Sequence, residues 1–344
     1  MRFAASSSRG CIPDMRPSTT RAPRVLFRIA AGPRIGFGHL RRCTVLAGAL
    51  GTRATVSMRG GDAARAAARR LGCRLVDAAA SRAMATIRPE LLIVDDPRDH
   101  AARRWARAAR RAGVPVASIR DMGYGLSLAD LVVDGSVAAV RASDLRTRLT
   151  LAGPRYAVIN PLVGRLRRRR HPRTIVIALG GGHHISAAID LAHRIIRRDS
   201  RALVRIVTGV AGSRRSGSSR IRMLPLLPHL GGELARCTVA VVGGGVTAYE
   251  ACCLATPAVA VAVAPAQRRA IRAFAARGAL IDGGSLGPNF SRAAATVASQ
   301  VDTLMSAPGR RRAVGRAAAR IVDGRGALRV ARALRRLAAA GIPS

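Results

Sequence analysis

VLFRIAAGPRIGFGHLRRCTVLAGAL, residues 25–50, sets an apolar run against a turn with two glycines, then a histidine and a basic pair at the start of a helical pattern. The run does not alternate apolar with polar residues. A strand built from it is therefore buried on both faces, as in a parallel sheet covered by helices. The same grammar returns along the chain as ATVSM with DAARAAARRL, ELLIVDD with DHAARRWARAARRAG, then VPVASI and LADLVVD. The first half reads as a doubly wound α/β unit. VGRLRRRRHPR interrupts it with a charge run and Pro172, features that suit a linker rather than a core. Beyond it come TIVIALGGG with ISAAIDLAHRIIRR, ALVRIVTGV, CTVAVVGGG with VTAYEACCLA, PAVAVAVA with QRRAIRAFAARG, and ALID.

The expected organisation is a polar tail over 1–23, a Rossmann-like domain over 24–165 and a linker over 166–173. A second Rossmann-like domain follows over 174–344 and ends in basic helices. Open parallel sheets bind ligands outside the carboxyl ends of their strands, so the cleft between the two domains is expected to hold the chemistry.

Composition supports this class. A chain of 344 residues has room for two cores. With 49% hydrophobic but only 3% aromatic residues, those cores must be built from Ala, Val, Leu and Ile. The formal charge is +41, and no lysine occurs. The arginines are spread over nearly every predicted helix, which suits solvated helix faces under GC-rich codon bias rather than a dedicated nucleic-acid surface. No specific nucleic-acid partner is expected, whereas anionic substrates are attracted. GALRVARALRRLAAA, near the end, reads as a basic amphipathic helix packed on its own domain, or alternatively laid on an anionic membrane.

Cys11, Cys43, Cys73, Cys237, Cys252 and Cys253 show no CxxC or Cys/His ligand spacing and read as reduced thiols. The amino-terminal segment lacks the apolar core of a signal peptide, and AVAVAVAPA is too short to span a bilayer. A cytoplasmic protein is expected.

Two further glycine turns follow apolar strands, IALGGGHH (Gly180, Gly181, Gly182) and AVVGGGVTAYE (Gly243, Gly244, Gly245). Each is either a plain tight turn or a place where backbone N–H groups and a helix dipole meet phosphate oxygens. Glu250, early in the second helix, either complements the helix dipole or accepts hydrogen bonds from a ribose diol. His39 lies at a helix N-terminus, where the dipole disfavours protonation. It is either structural or a neutral general base facing the cleft. Asp95, Asp96 and Asp121 end strands on the cleft side, to cap loops or to orient His39 and substrate hydroxyls.

GFGH lacks the third glycine of a dinucleotide fingerprint, and no acid ends ATVSM. A nicotinamide or flavin cofactor is therefore disfavoured. The phosphate-loop pattern GxxxxGK[ST] is also missing, which argues against ATP hydrolysis. His183 and His184 have no carboxylate at metal spacing, so metal-independent chemistry without a cofactor is expected.

Taken together, Arg28 in the first strand and Gly36, Gly38, His39 and Arg42 in the turn resemble the signature of the UDP-sugar hydrolases of pseudaminic acid biosynthesis, the PseG/SpsG-like family. GPRYAVINPLV, with Tyr156, echoes a second family segment. VVGGGVTAYEACCLATPAVAVAVAPAQ is similar to the UDP-binding segment of that family and of lipid-linked N-acetylglucosaminyltransferases. The resemblance covers about residues 24–282. It implies a GT-B fold and a base, His39, that activates water against the anomeric carbon. Arg42 would help hold the active-site geometry or neutralise phosphate, with Asp95 counted beside it as catalytic from its place at the strand end, and Arg28, Gly36, Gly38, Asp121 and Tyr156 would lie on the sugar side. Gly180, Gly181, Gly243, Gly244, Gly245 and Thr247 would hold UDP, with Glu250 on its ribose. A UDP-activated diacetamido-trideoxyhexose is the implied substrate, in nonulosonic acid or surface glycan synthesis. The alternative is a GT-B glycosyltransferase that uses a UDP-N-acetyl sugar and an envelope acceptor. The chain departs from the family's pattern at Ala30, at Gly180 to His183, and at Asp134.

Overall fold

The computed structural model describes residues 21–32, 35–97, 99–120, 129–139, 147, 149–166, 168–180, 184–208, 217–224, 230–287 and 290–341. Asp121, Gly181, Gly182 and His183 lie outside the described residues.

The first sheet contains β1 (Val25–Ala30), β2 (Thr55–Arg59), β3 (Arg74–Leu75), β4 (Leu91–Asp95), β5 (Val116–Arg120), β6 (Leu131–Asp134) and β7 (Leu149–Ala152). Its strands run in the order β3-β2-β1-β4-β5-β6-β7, every pair parallel. Helices α1 (Gly38–Leu50), α2 (Asp62–Arg70), α3 (Ala80–Ile87) and α4 (Asp99–Arg111) connect them.

The second sheet contains β8 (Thr174–Ala178), β9 (Leu203–Val207), β10 (Ile221–Leu224), β11 (Val239–Gly243), β12 (Ala258–Ala262) and β13 (Ile281–Ser285). It is ordered β10-β9-β8-β11-β12-β13 and is again wholly parallel. Its helices are α5 (Ile185–Arg198), α6 (Gly231–Arg236), α7 (Val246–Cys253), α8 (Gln267–Ala275), α9 (Phe290–Ser306) and α10 (Pro308–Ile321).

The unbroken apolar strands produce this arrangement. All five residues of β4, β8, β11 and β12 are buried, with helices on both faces. Alternate residues serve different cores. In β1, Val25, Phe27 and Ile29 pack with α1, while Leu26 joins the cluster around Trp105 of α4. Both sheets share the doubly wound order, in which the chain reverses direction between the first strand and the fourth. Those two switch points, β1/β4 and β8/β11, open the crevices from which the site is built.

Three strands escape the sequence reading: β3, β7 and β10. Each is an edge strand with exposed positions, Leu149 of β7 being 48% exposed, so none shows a continuous apolar run.

The last helix also departs from expectation. α11 (Gly326–Ala340) belongs to the first domain's core, not the second's: Ala327, Val330, Ala331 and Leu334 pack with β1 and α1. Gly326 makes the crossing possible, because a Cβ there would stand 2.1 Å from the Ala157 carbonyl oxygen. The apolar face proposed for a membrane is thus spent inside the protein. Among the described residues no helix is long and apolar enough to cross a membrane.

Candidate active site

The β1–α1 loop is closed by a pair of backbone hydrogen bonds, Gly32 N to Gly36 O at 3.2 Å and Gly36 N to Gly32 O at 2.7 Å. Gly36 has φ of 87°, a left-handed conformation that glycine adopts without strain. This fixes the start of α1 and puts His39 in its first turn, beside the switch point.

Asp95 ends β4 and pairs in register with Ile29 of β1. Its Oδ1 lies 2.7 Å from His39 Nδ1. Arg42, one turn further along α1, donates from Nε to Asp95 Oδ2 at 2.9 Å and from Nη2 to Oδ1 at 3.0 Å. The tautomer is assigned from this network: with an anionic oxygen at Nδ1, the ring proton belongs there, and Nε2 keeps its lone pair. Arg42 Nη2 comes within 2.8 Å of the same Nδ1 because both donors share Oδ1. Burial opposes the charge on Asp95, but Arg42 and His39 outweigh it and hold the carboxyl well below the usual carboxylate range. The result is a buried anion clamped by a guanidinium, which orients an imidazole.

Asp96, the next residue, points to the opposite face of the sheet, since strand side chains alternate. It meets Arg59 at 2.6 Å and Arg28 at 3.6 Å. Arg28 also donates to Ser57 Oγ at 3.2 Å and lies 5.3 Å from the Trp105 ring centroid, a cation–π distance. The sugar-side role expected for Arg28 does not fit this placement: it faces α4, on the other side of the sheet from His39.

The second domain presents the N-terminus of α7. The amides of Gly245, Val246 and Thr247 make no hydrogen bond within the protein, as at any helix start without a side-chain cap. Gly244 differs. Its N–H donates to Gln267 Oε1 at 3.0 Å, and the same oxygen accepts from Val263 N at 3.1 Å. A Cβ on Gly244 would come within 2.8 Å of Ile271. The packing of α8 by itself therefore favours glycine at 244.

Glu250 is 7% exposed, and its side chain makes no hydrogen bond or ion pair with a described residue. Burial raises its pKa to about 7, against the opposing charge of Arg41 from α1 across the cleft.

The two helix starts face each other. A Cβ on Gly38 would lie 4.0 Å from Val246 Cγ2. Nearby, Val137 N donates to Tyr249 Oη at 2.9 Å, and the Tyr249 ring meets Phe274 edge-on at 4.9 Å. Between the domains lies a cavity of about 40 Å³ lined by Arg42, Arg120, Ser136, Tyr156, Gly245 and Tyr249, among others.

These observations fix the architecture. No known family profile matches the chain. A curated relative, the spore coat polysaccharide biosynthesis protein SpsG of Bacillus subtilis, is 25% identical over 230 residues, 60% of this chain and 65% of SpsG. The chain thus spans just under two thirds of that relative's length. Among solved structures, MurG of Acinetobacter baumannii superposes with a TM-score of 0.62 at 13% identity, covering 92% of this chain and all of MurG. The spinosyn rhamnosyltransferase SpnG complexed with thymidine diphosphate gives 0.62 at 17% identity, covering 91% and 99%. The chain is similar to SpsG and has the GT-B fold.

In this SpsG-like chain the structure brings together His39, Arg42 and Asp95, with Gly36 and Gly38 shaping their turn. It sets Tyr156 and Gly245 on the interdomain cavity, Thr247 and Glu250 on α7 next to it, and Gly243 at the end of β11. Gly180, with φ of 86°, follows β8 at the second switch point. Asp134 accepts from Ser136 N at 3.1 Å and closes a local turn. Sequence reasoning missed Arg41, Tyr249 and Gln267. Only Gln267 left a signal, as an uncharged polar residue opening a helix straight after a wholly apolar strand.

Proposed function

We propose that the chain hydrolyses a UDP-sugar in polysaccharide biosynthesis, with both reacting sides of the substrate held between α1 and α7. The observation that carries this reading is the His39–Asp95–Arg42 unit facing the unsatisfied N-terminus of α7. His39 Nε2 takes a proton from water as the water oxygen bonds to the anomeric carbon. The bond from that carbon to the diphosphate oxygen breaks, and UDP leaves as an anion. The amides of Gly245, Val246 and Thr247 and the α7 dipole meet the leaving charge, the electrostatic help such displacements need. Glu250, buried and without an acceptor role inside the protein, suits the ribose diol.

Asp95 does not itself move the proton. It fixes the tautomer and stabilises the imidazolium that forms. Arg42 acts through Asp95, as a positioning residue. Tyr156, Gly36 and Gly38 border the sugar side. A nucleotide sugar needs several hundred Å³, so the 40 Å³ cavity must widen as the domains part to admit it. SpsG's name supports the assignment to surface polysaccharide synthesis, and the thymidine diphosphate bound by SpnG supports a nucleoside diphosphate as the ligand class. The natural location of such an enzyme is the cytoplasm, where nucleotide sugars are made.

A second reading is favoured by the solved neighbours, which are mostly transferases: His39 would deprotonate an acceptor hydroxyl in place of water. Proton and phosphorus NMR of the protein with a UDP-diacetamido-trideoxyhexose, without acceptor, separates the two. Release of UDP and free sugar establishes hydrolysis. An intact donor that broadens on binding rejects hydrolysis and sends the search to acceptors.

A further inference from the structure

The second domain carries an arginine-lined cleft at the opposite end of its sheet from the glycine turns. Its floor includes Thr238, just before β11, and Ala255 and Pro257, just before β12, so it lies at the amino ends of the strands. The linker and α10 meet there around an open cavity of about 420 Å³, walled by Arg168, Arg170, Arg311, Arg312 and Arg316. No acidic side chain lines it.

Two of these arginines are pinned. Arg170 donates to the carbonyls of Cys237 at 2.7 Å, Leu254 at 3.2 Å and Ala255 at 2.9 Å. Arg311 donates to the carbonyls of Leu304 at 2.6 Å and of Met305. Carbonyls hold these guanidinium groups in place without cancelling their charge. The side chains of the other three, Arg168, Arg312 and Arg316, are exposed and make no hydrogen bond or ion pair with a described residue. α10 begins at the cavity with Pro308 in its first turn and no acid there, although carboxylates are the usual complement of a helix N-terminus. Four shielded arginines elsewhere are paired with carboxylates, Arg42 with Asp95, Arg59 with Asp96, Arg205 with Glu233 and Arg268 with Asp282, whereas the half-buried Arg170 and Arg311 of this cleft have only carbonyl partners.

We propose that this cleft binds a phosphate-bearing anion, whose several oxygens take the guanidinium forks of Arg168, Arg312 and Arg316 and supply the missing counter-charge. Arginine suits this work because its planar fork matches phosphate geometry. Crowding of like charge shows in the wall itself: burial lowers the pKa of Arg170, with Arg168 and Arg311 adding to the fall, and burial followed by Arg312 lowers that of Arg311. The ligand is either a soluble polyphosphate or the phosphate of a lipid headgroup. Because Arg168 and Arg170 belong to the segment between the two sheets, its binding ties that segment to α10.

Calorimetric titration with inorganic pyrophosphate, at about 0.15 M salt to screen long-range attraction, tests the site. The comparison is between the natural protein, Arg312→Ala/Arg316→Ala, and Arg332→Ala/Arg336→Ala on the exposed face of α11, which removes the same charge elsewhere. Binding at least tenfold weaker in the first variant and within twofold in the second is expected. Equal weakening in both, or none in the first, overturns the proposal. Co-sedimentation with phosphatidylcholine vesicles containing phosphatidic acid distinguishes the sources. Vesicle binding lost only in the cleft variant assigns the lipid headgroup, and pyrophosphate binding without vesicle binding assigns the soluble anion. Neither binding overturns the site. Heat denaturation keeps the test sound: the cleft variant is expected to melt no lower than the natural protein, since it sheds repulsion.

Discussion

The turns before α1 and before α7 look alike in sequence, a glycine turn between an apolar strand and a helix, yet they are finished in opposite ways. Before α1 the polar groups are wired to one another: His39 to Asp95, and Asp95 to Arg42. Before α7 they are left open, with three free amides and, on the helix itself, a buried Glu250 carboxyl without a hydrogen-bond partner among the described residues. A proton-transfer group must be held in one tautomer before substrate arrives, so its partners are internal. A binding surface for a charged ligand keeps its hydrogen bonds for that ligand. On the proposed function the wired side performs the chemistry and the open side holds the ligand.

Breaking the wired side is expected to have the largest effect. His39→Ala removes the proposed base, worth about 10²–10⁴-fold in rate. UDP release should fall by that amount, while UDP affinity measured by calorimetry stays within about twofold. Turnover at the natural rate would remove His39 from the mechanism.

Asp95→Asn comes next. It leaves Arg42 buried without its counter-charge and offers His39 a neutral partner. Urea denaturation should show a loss of about 3–5 kcal/mol, the usual cost of stripping one member from a buried pair. The carboxyl's depressed pKa gives the sign of the pH effect. The stabilisation is full above the ordinary Asp range and is lost progressively as pH falls from that range toward the folded value. The natural protein should therefore lose this contribution steadily in acid, and Asp95→Asn should flatten the acid limb of the stability curve.

On the open side, two neighbouring glycines sharpen the contrast. Gly244→Ala drives a methyl into Ile271 and Gln267 and should cost about 1–3 kcal/mol of stability, as overpacking does. Gly245→Ala meets only Gln267 Nε2, at 3.9 Å, with φ of −95°, and should be nearly neutral for stability. Equal losses at both positions would show that the turn, not the packing of α8, dictates glycine.

Glu250 gives the smallest effect and the clearest pH signature. Its folded pKa of about 7 lies above its unfolded value, so the folded state holds an extra proton between the two. Relative stability is full at acid pH and is lost as pH rises through about 7, while the carboxylate needed by a ribose diol appears over the same interval. UDP affinity should weaken as pH falls below 7, and Glu250→Gln should abolish that dependence at a cost of about tenfold in affinity above it. An unchanged pH profile in the variant would place the ribose elsewhere.

The sequence by itself determined the two parallel sheets, because strands buried on both faces need uninterrupted apolar runs, and such runs are visible without any partner. It also determined that glycine turns stand at strand carboxyl ends with His39 at a helix start. Tertiary structure decided the rest. Asp95 and Asp96 are adjacent and chemically identical, yet strand alternation sends one to His39, 56 residues away in the chain, and the other to Arg28 on the far face. Which aspartate faces which helix depends on the register of β4 against β1 and on where each helix lies. The edge strands β3, β7 and β10 borrow their order from neighbours rather than from their own apolar content. The crossing of α11 into the first core rests on Gly326 meeting the Ala157 carbonyl, a contact between segments far apart in the chain. Local pattern records how each element is buried, and only packing decides against what.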